Sequence, residues 1–388
     1  MKSIELFSGA GGLALGIHLA GFVHQLLVEV DDDASETLLY NSKIESVPGI
    51  SSWSIIHDRV ESLDLNNYGE IDLLAAGIPC QPFSNGGKRG GVEDDRNMFP
   101  VFARAVATVK PKAFLLENVN GLIHGKLASH MEYIIKQLTH PWHTASGGSN
   151  WHDHFGELSL MSPHETDQET DYRVYSKVVN AADYGVPQIR KRVFIVGFRK
   201  DLAIRWNFPA TTHSKEVLLA DALSNTSSCE RHEKIIEKAM KSNTKKEMQN
   251  MATTDKKAWV LVDDVIRDLP EMGTINATKM QHVLIPGAKS YKGHTGSMQY
   301  WPAKPLKAGT HGVGGGENML CYDGGKVRYF SIRECARLQT FPDSWTFKGT
   351  WSSITKQLGN AVPVKMAAVV AKSIRIALEA SAKSAKTN

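Results

Sequence analysis

The chain has 388 residues, 42% hydrophobic and 22% charged, with a formal net charge of +4 at pH 7. That excludes collagen-like, coiled-coil and disordered classes and leaves room for one large domain and a smaller one. The mildly basic balance permits a polyanionic partner without demonstrating one.

The opening Met1-Lys2-Ser3-Ile4-Glu5 lacks the apolar stretch of a signal peptide, and no apolar run reaches membrane-spanning length. A cytoplasmic chain without membrane contact is predicted. Its four cysteines, Cys80, Cys229, Cys321 and Cys335, are widely scattered with no paired spacing, so neither a disulfide framework nor a metal site is predicted.

Ile4 to Phe7 reads as a strand, Ser8 to Gly12 as a glycine turn, and Leu13 to Ala20 as a helix. Strand, glycine turn and helix open many nucleotide-binding units, although such turns also join strands to helices elsewhere. The next strand, Gln25 to Val30, ends at Glu29, about 20 residues after the turn, where an acid accepts hydrogen bonds from ribose hydroxyls. Asp58 follows Ile55-Ile56 and suits the end of a third strand, facing an exocyclic amine or simply capping a turn.

A buried strand, Ile71 to Ala76, runs into Gly77-Ile78-Pro79-Cys80-Gln81-Pro82-Phe83-Ser84. A thiol held between two prolines at a strand end reads as a nucleophile; the alternative is a small core residue. The glycine-rich stretch from Asn85 to Arg96 reads as a mobile loop, with Lys88 and Arg89 placed to touch phosphate.

Asn97 to Val109 reads as a helix, and Lys112 to Val119 as a strand that would bring Glu117 to the same sheet edge as Cys80. There a carboxyl can act as a general acid; the alternative is a helix cap. His140 to Asp171 is rich in histidine but shows no ligand spacing, and an irregular surface loop is predicted there.

Tyr172 to Asn180 and Val193 to Phe198 read as regular segments flanking Gln188-Ile189-Arg190-Lys191-Arg192. The two arginines, two apart, either face the crevice together or are ordinary surface charge. Lys200 to Val327 has a different texture and reads as a separate small body. Ser331 to Asp343 contains a capped helix, Val364 to Leu378 is an apolar helix, and Ser381 to Asn388 is predicted to fray.

Taken together, ELFSGAGG, Glu29, Asp58, GIPCQPFS, ENV at Glu117 to Val119, QIRKR, RECARLQTFPD and GNAVP resemble the cytosine-5 DNA methyltransferases that use S-adenosylmethionine. The resemblance implies a doubly wound, Rossmann-like α/β methyltransferase sheet with a second, smaller target-recognition domain. The corresponding boundaries are 1–199 plus 344–388 for the catalytic domain and 200–343 for the smaller one. It implies Cys80 as nucleophile, Glu117 as acid, and Arg192 with Arg190 behind it at the ring oxygen.

For the cofactor it implies Phe7, Gly9, Ala10, Gly11, Gly12, Glu29, Val30, Asp58, Arg59, Pro79, Met98, Asn360 and Val362. For DNA it implies Ser84, Gly86, Lys88 and Arg89. The further expectations are a metal-free monomer acting on double-stranded DNA, with a cognate restriction endonuclease acting separately. The first residue of ELFSGAGG is aspartate in many relatives, and the histidine-rich insertion is longer than the family's usual.

Overall fold

The computed structural model describes residues 1–79, 97–123, 125–144, 150–161, 170–224, 230–240, 255–292, 294–309 and 318–387. Two bodies emerge, one made of 1–179, 191–209 and 367–388, the other of 180–190 and 210–366.

The first body is built on seven strands: β1 (Lys2–Leu6), β2 (Val23–Glu29), β3 (Ile55–His57), β4 (Leu73–Gly77), β5 (Ala113–Val119), β6 (Tyr172–Asn180) and β7 (Lys191–Arg199). Their order across the sheet is β3-β2-β1-β4-β5-β7-β6. Neighbours from β3 to β5 are parallel, and β7 runs antiparallel to β5. Successive strands step outward in one direction from β1 and in the other from β4. The ends of β1 and β4 therefore flank the switch point where such sheets open a crevice.

The helices connecting these strands are α1 (Gly12–Leu19), α2 (Asp32–Lys43), α3 (Phe99–Val109), α4 (Ala128–Thr139) and α5 (Trp151–Leu160). Alternate strand residues, Ile4 and Leu6, Leu74 and Ala76, Phe114 and Leu116, Val193 and Ile195, share one core with Phe102 and Val106 of α3 and Ile134 of α4. The residues between them, Glu5, Ala75, Leu115 and Phe194, are also 0% exposed. Both faces are thus covered, which is why β4 reads as a continuous apolar run rather than an alternating one. Gly197 lies opposite Phe114 across the β5–β7 ladder, and a Cβ there would come within 2.2 Å of the Phe114 ring.

The insertion from His140 to Asp171 differs from the predicted irregular loop. Helix α5 forms within it, with Asn150 accepting hydrogen bonds from the amides of His152 and Asp153 as its N-cap. Rings of α5 pack on Tyr133 of α4, whose centroid lies 5.6 Å from those of both Trp151 and His154. At the base of the insertion, Asp171 accepts hydrogen bonds from His140, Trp142 and Lys200. Burial of rings, invisible to a count of polar residues, decides the outcome.

Of the tail predicted to fray, Ser381 to Thr387 continue the C-terminal helix Val364–Thr387, and Asn388 lies outside the described residues. The Ser381 hydroxyl donates to the Leu202 carbonyl.

The second body takes in Asn180–Arg190 and continues to Met366, beyond the 200–343 read from the sequence. Its ties explain the extent. Gln188 Nε2 donates to the Leu338 carbonyl, and its Oε1 accepts from the Leu306 amide. Gln339 Nε2 donates to the carbonyls of Leu358 and Ala361. The short segments written QIRKR, RLQTFPD and GNAVP are thereby stitched to one another.

Candidate active site

At the ends of β1 to β4 the first body opens a cleft of about 200 Å³, lined by Phe7, Val28, Glu29, Val30, Asp58, Arg59, Val60, Glu61, Pro79 and Met98. Seven of these ten were expected from the sequence. Val28, Val60 and Glu61 were not, although Val60 and Glu61 directly follow the Asp58-Arg59 pair.

The glycine turn is locked to the strand ends. Ser8 donates its amide to the Val28 carbonyl, and Gly11 donates to the Ser8 carbonyl. Gly9 (φ 53°) and Gly11 (φ 90°) occupy left-handed backbone that glycine alone takes without penalty. Phe7 is held at φ 58°, a strained setting for an aromatic residue, which fixes the chain direction as it leaves β1 and enters the cleft. Ala10 is buried within the turn, and Gly12 begins α1.

Glu29 is the hub. Its Oε2 accepts from the Gly9 amide at 2.6 Å, and its Oε1 accepts from the amides of Val30 and Asp31 at 2.9 and 2.8 Å. Burial pushes its carboxyl above the ordinary carboxylate range, with the three amides pulling part of the way back. The next strand end is joined through the Asp58 amide, which donates to the Glu29 carbonyl. Asp58 itself is exposed, with Oδ1 accepting from the Arg59 amide.

One strand further on, Glu117 is register partner to Gly77, the last residue of β4. Glu117 is buried, and its Oε1 lies 2.9 Å from Arg192 Nε. Asn118, also buried, donates from Nδ2 to the Ile78 carbonyl at 3.2 Å, fixing the backbone two residues before the cysteine. The sequence reading gave Asn118 no role; its place in the Glu-Asn-Val triplet was the signal. Cys80, Ser84, Gly86, Lys88 and Arg89 lie outside the described residues.

Arg190 does not join Arg192. It belongs to the second body, is 0% exposed, and donates to the carbonyls of Leu306, Gly359 and Ala361. Residues two apart on an ideal strand share a face, but β7 begins only at Lys191, so Arg190 escapes that alternation. Asn360 and Val362 also lie in the second body, the first exposed at the end of helix Trp351–Asn360, the second buried.

Acids at successive parallel strand ends and a glycine turn thus line a cleft at the switch point of the sheet, and buried Glu117 with half-buried Arg192 lies beside the strand leading to Pro79-Cys80. The profile of one family, described as C-5 cytosine-specific DNA methylase, matches residues 1–140 and 161–375.

The chain belongs to this family. It is a DNA cytosine-5 methyltransferase.

This methyltransferase is 33% identical over 394 residues to Type II methyltransferase M.PspPI of Psychrobacter sp. (strain TA137), covering 98% of this chain and 80% of that one. It is 33% identical over 377 residues to Type II methyltransferase M.Eco47II of Escherichia coli, covering 96% and 78%. Among solved structures, DNMT2 of Spodoptera frugiperda aligns with a TM-score of 0.57 and 16% identity over 96% of this chain and 99% of that one. The S. pombe Dnmt2 methyltransferase aligns at 0.54 and 15%, over 98% and 99%. At those identities the likeness concerns the fold alone, which agrees with the doubly wound sheet read from the sequence. Among the described residues, no helix is long and apolar enough to cross a membrane.

Proposed function

We propose that the cleft binds S-adenosylmethionine and that Cys80 attacks a cytosine flipped out of duplex DNA. The observation that supports this most is the convergence of Phe7, Glu29, Asp58, Pro79 and Met98, from five separate stretches of sequence, on one cleft. The lining fits an adenosine: Glu29 to accept from the ribose hydroxyls, Asp58 to accept from the adenine amine, and Phe7, Val60, Pro79 and Met98 as apolar walls for the ring. The glycine turn lets its backbone approach the ligand closely. Asn360 and Val362 are assigned to the cofactor as well.

When bound, S-adenosylmethionine supplies an electrophilic methyl group on a sulfonium. Carbon 5 of cytosine is too weak a nucleophile to take it directly, so the Cys80 thiolate adds to carbon 6 and makes carbon 5 electron-rich. Glu117 donates a hydrogen bond or proton to ring nitrogen 3 and so relieves the charge that builds on the ring. Arg192 anchors Glu117 and holds the ring oxygen, while Arg190 acts indirectly by bracing the backbone that leads into Arg192. The methyl–sulfonium bond would break as carbon 5 takes the methyl, leaving S-adenosylhomocysteine; carbon 5 would then lose its proton to water, ring nitrogen 3 return its proton to Glu117, and the carbon 6–sulfur bond break to restore the thiolate.

The target atom is unreachable inside a duplex, so flipping costs a few kcal/mol. Ser84, Gly86, Lys88 and Arg89 would recover part of it through DNA contacts. The second body holds the target-recognition surface. The curated relatives are Type II methyltransferases, and this chain is read as a monomer protecting DNA against a separately acting restriction endonuclease.

Calorimetric titration with S-adenosylmethionine tests the cleft. Glu29→Gln and Asp58→Asn should each weaken binding by about 1–3 kcal/mol, the penalty for spoiling a buried or charged hydrogen-bond partner. Binding unchanged in both variants would overturn the assignment.

A further inference from the structure

The insertion carries a side-chain cluster that methyl transfer leaves unused. His143 Nδ1 lies 3.2 Å from His154 Nε2. Glu157, three residues after His154 on α5 and therefore on the same helix face, completes a group whose ligand atoms all fall within 4.8 Å of one another. Two nitrogens each bound to a tetrahedral zinc ion at about 2.05 Å stand about 3.3 Å apart, so the histidine pair is already near ligating separation. A modest rotation of Glu157 would bring its carboxylate in.

The surroundings suit a cation as well. His154 is 0% exposed, and its Nδ1 sits 3.0 Å from the Tyr133 hydroxyl on α4, the outer hydrogen bond that orients a ligating imidazole. Burial, reinforced by the neighbouring His143, holds His154 below its ordinary pKa, and a neutral ring is what ligation requires. His143 and Glu157 are half-buried, which leaves an approach from solvent. The family profile passes over 141–160, so the cluster belongs to this chain's insertion rather than to the shared fold.

We propose that His143, His154 and Glu157 bind one divalent cation of the zinc class, with a fourth position open to water, and so pin α5 to the segment that follows α4. This departs from the absence of a metal site expected from the sequence. Without the cation, His154 Nε2 also lies 3.2 Å from the His143 carbonyl; ligation through Nε2 uses the tautomer that keeps the ring proton on Nδ1, toward the Tyr133 hydroxyl.

The test uses the full-length protein stripped with a chelator, titrated with zinc by calorimetry and with cobalt by visible absorption. The expected result is one equivalent bound, with the absorption of tetrahedral cobalt. His143→Ala and Glu157→Gln, both at half-buried positions, should each weaken binding at least tenfold and abolish the zinc-dependent rise in melting temperature. No saturable binding, or an affinity unchanged in either variant, would overturn the three-ligand site.

Discussion

Glu117 Oε1 and Arg192 Nε stand 2.9 Å apart across the β5–β7 pair. The pair exists because β7 is antiparallel: Arg192 is register partner of Val119, two residues from Glu117, so both side chains lie diagonally at the end of the sheet where β4 also stops. A parallel strand would have delivered Arg199 there instead.

Glu117→Gln keeps the shape and removes the acid. A fall in kcat of about 10²–10⁴-fold is expected, with S-adenosylmethionine affinity retained. Arg192→Ala removes the guanidinium 2.9 Å from a buried carboxyl and should destabilise the first body by about 3 kcal/mol. Denaturant melts should show the double variant Glu117→Gln, Arg192→Ala recovering most of that loss.

Arg190 and Arg192 should respond differently to lysine. At Arg190 a single ammonium cannot reach all three carbonyls, so Arg190→Lys should lower stability by roughly 2–3 kcal/mol. Arg192→Lys should chiefly lower kcat. Melting curves read beside methyl-transfer rates separate the two outcomes.

Two glycines should resist even a methyl group. In Gly359→Ala the new Cβ would meet the Ala308 backbone nitrogen at 2.3 Å, and in Gly197→Ala the Phe114 ring at 2.2 Å. Overpacking of this kind destabilises by about 1–3 kcal/mol. Backbone cannot swing aside as a ring can, so Gly359→Ala should show the larger drop in melting temperature.

His24 should contribute to the acid limb of stability. Burial lowers its pKa to about 4, although its Nε2 hydrogen-bonds the Ala14 carbonyl. The unfolded chain binds a proton there more readily, so stability falls as pH drops from about 6.5 to 4, by at most about 1.4 kcal/mol per pH unit for this group. Denaturant melts of His24→Gln should show a flatter slope over that interval.

Glu5 acts with the opposite sign. Burial, with Glu29 adding, pushes its carboxyl well above the carboxylate range. Its contribution is full in acid and is lost as pH rises, so Glu5→Gln should gain stability over wild type, and the gain should grow from pH 5 to 8.

Strand ends and the glycine turn were legible because they obey local rules: apolar runs of strand length, glycine where φ is positive, an acid at each strand tip. Phe7, Glu29, Asp58 and Glu117 reached their expected strand ends for that reason. Arg190 was misread because a spacing of two implies a shared face only within one strand. Helix α5 was missed because histidine and tryptophan, polar or amphipathic by composition, pack here on Tyr133, His154 buried and Trp151 half-buried. The proximity of His143 to His154 depends on a fold across 11 residues that no spacing rule encodes.

Methyl transfer from labelled S-adenosylmethionine to unmethylated DNA, mapped by bisulfite sequencing, tests the central claim most directly when wild type is run beside Cys80→Ala. Protection of cytosine within one short sequence by wild type, and none by the variant, is the expected result. Equal protection by Cys80→Ala would contradict the cysteine-adduct mechanism, and no transfer by either protein would contradict the assignment of this cleft to DNA methylation.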